Sequence, residues 1–315
     1  MGCGTWAWGN RFLWAYDEQQ DSDLQAVFEA CVAAGVTLFD SGDSYGTGRL
    51  KGRSESLLGQ FARRLDSERQ SSLCLATKLA AYPWRLTRGA MVQAGRASAA
   101  RFGRPIDLVQ LHWSTANYAP WQEGALLDGL ADLHAQGAVR GVGLSNFGPQ
   151  RLRWAHRRLQ AQGVPLTSLQ VQYSLLTYEP GPDAELRATC RELGVQLIAY
   201  SPLTLGLLTG KYSECGPWPT GVRGLLFRQL LPKVRPLLGC LREVATQTGH
   251  SLAQVAINWC LQKETIPIPG ARSLTQAREN LGALAFDLPA AAVLELDQAA
   301  GRCTGRMTRN IFQSR

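Results

Sequence analysis

An alternation constrains this chain more than any other feature. Short segments rich in strand formers recur along it: GTWAWG (4–9), TLFD (37–40), LCLATK (73–78), DLVQLH (107–112), VRGVGLS (139–145), LQVQYS (169–174), VQLIAYS (195–201) and TIPIPG (265–270). Stretches of helical period separate them. DLQAVFEACVAAG closes on Gly35, SESLLGQFARRL opens at Ser54, and EGALLDGLADLHAQG closes on Gly137, each with an ordinary helix boundary signal. Eight strand-then-helix units in 315 residues predict an α/β fold, a (β/α)8 TIM barrel. A doubly wound sheet holding a dinucleotide would normally carry G-x-G-x-x-G after its first strand, and no such run is present. With 45% apolar residues the chain can bury a large core, and residues 1–315 read as one barrel domain. LPAAAVLELDQAA predicts a last helix before a C-terminal tail. The long connection after the seventh strand, with SECGPWPTG and GLLFRQLLPKVRPLL, is of the kind that shapes a substrate mouth.

Several function classes fit poorly. The net charge is +8, but the arginines are scattered rather than gathered into a basic tract, which argues against nucleic acid as a partner. The eight cysteines form no C-x-x-C pair and several sit in apolar segments, so they read as reduced core residues. No apolar run is long enough for a transmembrane helix, and MGCGTWAWGN resembles neither a signal nor a transit peptide. Of four histidines, His134 and His156 lie in helical segments, and no H-E-x-x-H or G-x-S-x-G occurs. Metal-assisted and nucleophilic hydrolysis are therefore disfavoured, and no metal is expected.

In a (β/α)8 barrel the reacting groups stand at the C-terminal ends of the strands and in the loops that follow. Those positions hold Asp40, Lys78, His112, Ser145 with Asn146, Gln172, Tyr200 with Ser201, and Pro269 to Arg272, with Tyr45 just past Asp40. Taken singly, each has a structural explanation; together they converge on one spot. A phenol with its usual pKa of about 10 is a poor proton donor at neutral pH. Lys78 beside it is expected to lower that value, Asp40 to orient Lys78, and His112 to donate a hydrogen bond to a carbonyl oxygen. A tyrosine acid without metal ligands points to hydride transfer from a cofactor. Asp43 reads as a turn residue. Trp8, Tyr82, Trp84, Trp113 and Phe147 lie in or near strand-end loops, where they either stack on a flat heteroaromatic ring or pack beneath the loops.

The segments FDSGDSYGTG, LATK, LVQLHW, GLSNF, AYSPLTLGLLTGKY and IPIPGARSLTQARENLGAL, in this order and spanning nearly the whole chain, resemble the aldo-keto reductase superfamily. The resemblance implies NADPH/NADP as cofactor and a catalytic tetrad of Asp40, Tyr45, Lys78 and His112, with the tyrosine as general acid in reduction. It implies that Ser145, Asn146 and Gln172 hold the nicotinamide carboxamide and that Tyr200 packs on its ring. Ser201, Leu203, Gly206, Thr209 and Lys211 would line the pyrophosphate. Gly270, Arg272, Ser273, Gln276, Glu279 and Asn280 would take the adenosine end, with Arg272 pairing a 2′-phosphate.

AAYPWRLT, LHWSTANYAP, GVPL, LLFRQLLP, VAINWC and NIFQSR (310–315) are similar, more narrowly, to the pyridoxal-reducing branch of that superfamily in plant chloroplasts. This likeness implies reversible NADPH-dependent reduction of the pyridoxal aldehyde to pyridoxine, in vitamin B6 metabolism. It also implies a chloroplast location, the alternative being cytoplasmic. A broad aldehyde and ketone reductase, or a cofactor-holding redox-sensing subunit, are the other readings. Two departures from the superfamily pattern stand out. Residues before the first strand, often a short hairpin closing the barrel floor, are absent here, which predicts a partly exposed barrel bottom. Ser41-Gly42 stands where many relatives have Thr-Ala, a change between small residues expected to cost little.

Overall fold

In a computed structural model, which describes residues 1–219, 221–308 and 310–314, eight parallel strands lie side by side in chain order. Arg315, the last residue of NIFQSR, lies outside the described residues. The strands are β1 (Cys3–Gly4), β2 (Leu38–Asp40), β3 (Cys74–Leu79), β4 (Ile106–Leu111), β5 (Val139–Ser145), β6 (Leu166–Gln172), β7 (Gln196–Tyr200) and β8 (Ile266–Ile268). A parallel bridge between Gly4 and Gly270, with Gly2 N–H donating to Pro267 and Gly4 N–H to Pro269, closes the sheet into a barrel. The fold expected from the alternation is the fold observed.

The first strand differs from the expectation. Only Cys3 and Gly4 pair as strand, whereas Thr5 to Gly9 of GTWAWG turn back across the barrel mouth, Trp8 N–H donating to Thr5 C=O. A two-residue strand suffices because both neighbours, β2 and β8, supply ladder partners.

Around the barrel lie α1 (Arg11–Trp14), α2 (Asp21–Ala33), α3 (Arg53–Ala62), α4 (Ser67–Ser72), α5 (Arg88–Phe102), α6 (Pro120–Ala135), α7 (Pro149–Gln160), α8 (Pro180–Glu192), α9 (Val222–Thr248), α10 (Leu252–Gln262), α11 (Leu274–Leu281) and α12 (Ala290–Arg302). The main core fills the space between the outward strand faces and these helices, with Phe39, Leu75, Val109, Leu111, Leu144 and Leu169 buried completely. A smaller cluster of Ala76, Leu108, Ile198 and Ile268 plugs the barrel interior. At the strand N-termini Leu38, Cys74 and Ile266 are half-buried. Among the described residues no helix is long and apolar enough to cross a membrane, and all eight cysteines are free.

Candidate active site

Side chains alternate between the two faces of a strand, and the register brings the inward ones together. Asp40 on β2 stands beside Ala76, Lys78 on β3 beside Gln110 on β4, and Ser145 on β5 beside Gln170 on β6. The outer face of β3 is equally specific: Thr77 donates to the buried Glu55 of α3, itself paired with Arg101. Asp40 and Lys78 form a buried ion pair, and Lys78 Nζ also donates to Ser41 C=O at 2.6 Å. The end of β2 is pinned by Thr5, whose N–H and Oγ1 both reach Asp40 C=O at 2.9 Å.

Past Asp40 the chain runs beside β3, Ser41 N–H donating to Ala76 and Asp43 N–H to Lys78, before a turn at Gly42 brings Tyr45 back. Lys78 Nζ then lies 5.0 Å from the centre of the Tyr45 ring, and His112 approaches that ring edge-on at 5.9 Å. The four groups named from the strand ends thus share one buried spot.

Their electrostatics differ from expectation in one respect. Burial pushes the Tyr45 phenol well above its ordinary pKa, and Asp40 and Asp43 push it further. Lys78 makes no hydrogen bond to the phenol among the described residues: its donors go to Asp40 and Ser41, and its Nζ stands 5.0 Å from the ring centre. Tyr45 is therefore a neutral phenol, the form that donates a proton. Burial also lowers Lys78, with Asp40 opposing the shift, and burial followed by Lys78 holds His112 well below its usual range. His112 is a neutral imidazole, and its buried Nδ1 has no hydrogen-bond partner among the described residues.

These groups stand at one end of a cavity of about 940 Å³. Ser145, Asn146, Gln172, Tyr200, Ser201, Leu203, Gly206, Thr209, Lys211, Gly270, Arg272, Gln276, Glu279 and Asn280 also line it. Asn146, held at φ 59°, donates to His112 C=O and accepts from Tyr200 Oη at 3.0 Å. Ser201, Thr204 and Leu205 are non-glycine residues at positive φ, a local concentration of backbone strain of the kind found at ligand clamps. Further along, Ser273 caps the N-terminus of α11, and Arg272 and Gln276 flank that helix end, where backbone amides and the helix dipole favour an anion.

Comparison with known proteins fits this geometry. The pattern defining the aldo/keto reductase family matches residues 1–300. The chain belongs to the aldo-keto reductase family. The chloroplastic pyridoxal reductase of Arabidopsis thaliana is 51% identical over 318 aligned positions, covering 100% of this chain and 87% of that protein. An uncharacterised oxidoreductase of Mycobacterium tuberculosis is 34% identical over 308 positions, covering 95% of this chain and 88% of that one. Among solved structures, a thermostable aldo-keto reductase in complex with the inhibitor epalrestat has a TM-score of 0.73 at 25% identity, covering 95% of this chain and 94% of that chain.

Within this aldo-keto reductase the loop aromatics divide between packing beneath the loops and standing near the site. Trp8 is fully buried, its Nε1 donating to Ala271 C=O at 3.0 Å, and Phe147 is equally buried; neither lines the cavity. Both aromatics turn down into the core from their loops. Tyr82 and Trp84 stack at 4.6 Å, Trp113 meets Tyr82 edge-on, and Phe312 of the tail stacks on Trp113 at 5.1 Å. This aromatic wall adjoins His112, with Trp113 4.8 Å away, but lies outside the cavity lining. Asp43 is more than a turn residue: it accepts from Ala80 N–H and pairs with Arg85 at 2.8 Å, tying the loop of Tyr45 to that of Tyr82.

The lining also holds residues that strand-end reasoning missed. Trp14 of α1 and Arg223 of α9 both line the cavity and touch, the guanidinium 4.7 Å from the ring centre, and Arg272 lies 5.3 Å from the same ring. Trp6, Tyr212 and, from the tail, Asn310 line it as well, Asn310 donating to Tyr200 Oη. Gln170, two residues before Gln172 on the same strand face, reaches deeper and donates to Asp40. Its only sequence signal is the Q-V-Q alternation.

Gly42 is also in a closer position than its small size suggested. A Cβ there would meet Cδ1 and Cε1 of Tyr45 at 3.0 Å, so the ring lies directly on the glycine. Gly42→Ala is expected to push the phenol aside by a few tenths of an ångström. That should lower kcat for aldehyde reduction several-fold while cofactor affinity, read by fluorescence titration, stays unchanged. An unaltered kcat would show that the ring has room to move.

Proposed function

We propose that this aldo-keto reductase is an NADPH-dependent aldehyde reductase whose substrate is pyridoxal, reduced reversibly to pyridoxine. The observation that carries the reading is the pairing, in one cavity, of a buried neutral phenol at one end with unpaired cations at the other. Lys211, Arg223 and Arg272 line the cavity, and none is ion-paired among the described residues. Burial, then Arg223, pushes Arg272 down from its ordinary value, and Arg223 Nε is buried without a hydrogen-bond partner among the described residues. Two guanidiniums gathered at one Trp14 ring without a carboxylate between them suit a dianion, and a 2′-phosphate fits. Ser145, Asn146, Gln172 and Tyr200 would hold the nicotinamide end, Ser201, Leu203, Gly206, Thr209 and Lys211 the pyrophosphate, and Gly270, Gln276, Glu279 and Asn280 the adenosine.

NADPH, when bound, supplies the hydride. The chain supplies the rest: His112, neutral, orients the aldehyde oxygen, and Tyr45 Oη gives that oxygen its proton as the carbonyl becomes an alcohol. Asp40 holds Lys78 beneath the phenol, so the phenolate left behind forms next to a positive charge. Because His112 titrates below its usual range, the rate of reduction is expected to stay level between about pH 6 and 7.5, where an ordinary histidine would impose a step. Trp113 beside His112, with Tyr82 edge-on to it and Trp84 stacked on Tyr82, forms an aromatic wall that suits a flat pyridine ring. The Arabidopsis relative is named for this reaction and its location, which supports a chloroplast setting.

Two measurements test the reading. Across pyridoxal, benzaldehyde and an aliphatic aldehyde, kcat/KM should be highest for pyridoxal; far better turnover of the generic aldehydes would replace the reading with a broad reductase. Arg272→Ala and Arg223→Ala should each weaken NADPH at least tenfold and NADH little; equal weakening removes the 2′-phosphate from the reading.

A further inference from the structure

Asp40 is held by more than its partner Lys78. Its Oδ1 accepts from Gln170 Nε2 at 2.8 Å and from Gln110 Nε2 at 3.1 Å, while Oδ2 takes Lys78. Gln170 also donates to Gln110 Oε1 at 3.2 Å, so the two amides fix each other. Gln110 is 0% exposed and does not line the cavity. Contact with cofactor or substrate therefore does not account for an amide in the middle of an apolar strand. Burying it is costly unless its hydrogen bonds are made, and here they converge on one carboxylate.

We propose that Gln110 is a positioning residue for proton transfer: by binding Oδ1 of Asp40 it keeps the negative charge on that carboxylate and the proton on Lys78, beneath the Tyr45 ring. The inference rests on the reading of Tyr45 as general acid. In a buried site the ion pair competes with a neutral pair, in which an Lys78 N–H bond breaks and an Asp40 O–H bond forms. Amide donors favour the charged carboxylate and so oppose that transfer. Burial already pushes Lys78 down, so its ammonium depends on Asp40 remaining an anion. The other titratable groups facing this pair are Tyr45 and Asp43 from the loop after β2, Glu55 from α3, His112 just past β4, Cys3 from β1 and Cys74 from β3. Replacing an uncharged amide alters none of them.

The sign follows. Without Gln110 the proton moves toward Asp40, Tyr45 loses the nearby ammonium, and its already raised phenol rises further. Alcohol oxidation needs the phenolate, so the acid limb of its pH profile moves to higher pH.

The test pairs two readouts on Gln110→Leu and Gln110→Met, both uncharged, close in size and without the amide donor. In cofactor-free protein labelled with nitrogen-15 lysine, the Lys78 Nζ titration is expected to fall by at least half a pH unit in Gln110→Leu. In NADP⁺-linked oxidation of pyridoxine, the acid limb should rise by a similar shift in both variants. A Lys78 titration unchanged in Gln110→Leu overturns the proposal, as does a uniform rate loss with an unmoved limb, the signature of a merely structural residue. A wild-type enzyme that lacks the limb fails the Tyr45 reading instead, and the Lys78 titration then still decides whether Gln110 holds the ion pair.

Discussion

Tyr45→Phe is expected to lower kcat for NADPH-linked reduction by about a thousand-fold, within the range that a well-placed general acid contributes. The ring is buried against Gly42, Lys78 and His112, and Phe keeps every one of those contacts. Only the hydroxyl is lost, so the unfolding midpoint and NADPH affinity should stay close to wild type. A rapid quench under single-turnover conditions separates the chemical step from release and reads the loss directly. A variant that retained a tenth of the wild-type rate would place the proton donor elsewhere, with His112 the next group at the same spot.

The second large effect falls on stability. Lys78→Met leaves Asp40 as a buried carboxylate with two amides but no counter-ion. Removing one partner of such a pair costs about 3–5 kcal/mol, which for a chain of this size corresponds to a fall of roughly 5–8 °C in the unfolding midpoint. Asp40→Asn combined with Lys78→Met removes both charges, and the amide oxygen can still accept from Gln110 and Gln170. Most of the stability should return, whereas the activity should not, because no ammonium then stands under the phenol. Thermal unfolding of the single and double variants, with turnover measured on each, checks both halves. Equal stability of the single and double variants would mean that Asp40 sheds its charge once Lys78 is gone.

That Asp40, Tyr45, Lys78 and His112 meet at one spot was legible in the sequence for a physical reason. A barrel places its strand ends at one mouth, so titratable residues at the ends of β2, β3 and β4 had to meet there. Chain periodicity does not reveal which atoms a side chain addresses after folding. Lys78 and Tyr45 were rightly placed together, yet Lys78 points to Asp40 and Ser41, and the phenol is raised rather than lowered. Nor does adjacency to a strand end tell whether an aromatic turns up into the mouth or down into the core, which is how Trp8 and Phe147 came to be buried. Trp14 and Arg223 reach the cavity from α1 and α9, over two hundred residues apart in sequence, and no local spacing links them. Gln110 and Gln170 look like ordinary polar positions until the barrel closes and turns them inward, onto one carboxylate.

The central claim is that hydride from NADPH and a proton from Tyr45 convert the pyridoxal aldehyde to an alcohol. The most direct measurement is product stoichiometry: purified protein incubated with NADPH and pyridoxal, with NADPH consumption followed by absorbance and pyridoxine quantified by chromatography. One pyridoxine formed per NADPH oxidised, repeated over many turnovers and lost in Tyr45→Phe, is the predicted result. NADPH that binds and is not consumed, or is consumed without pyridoxine appearing, would contradict it.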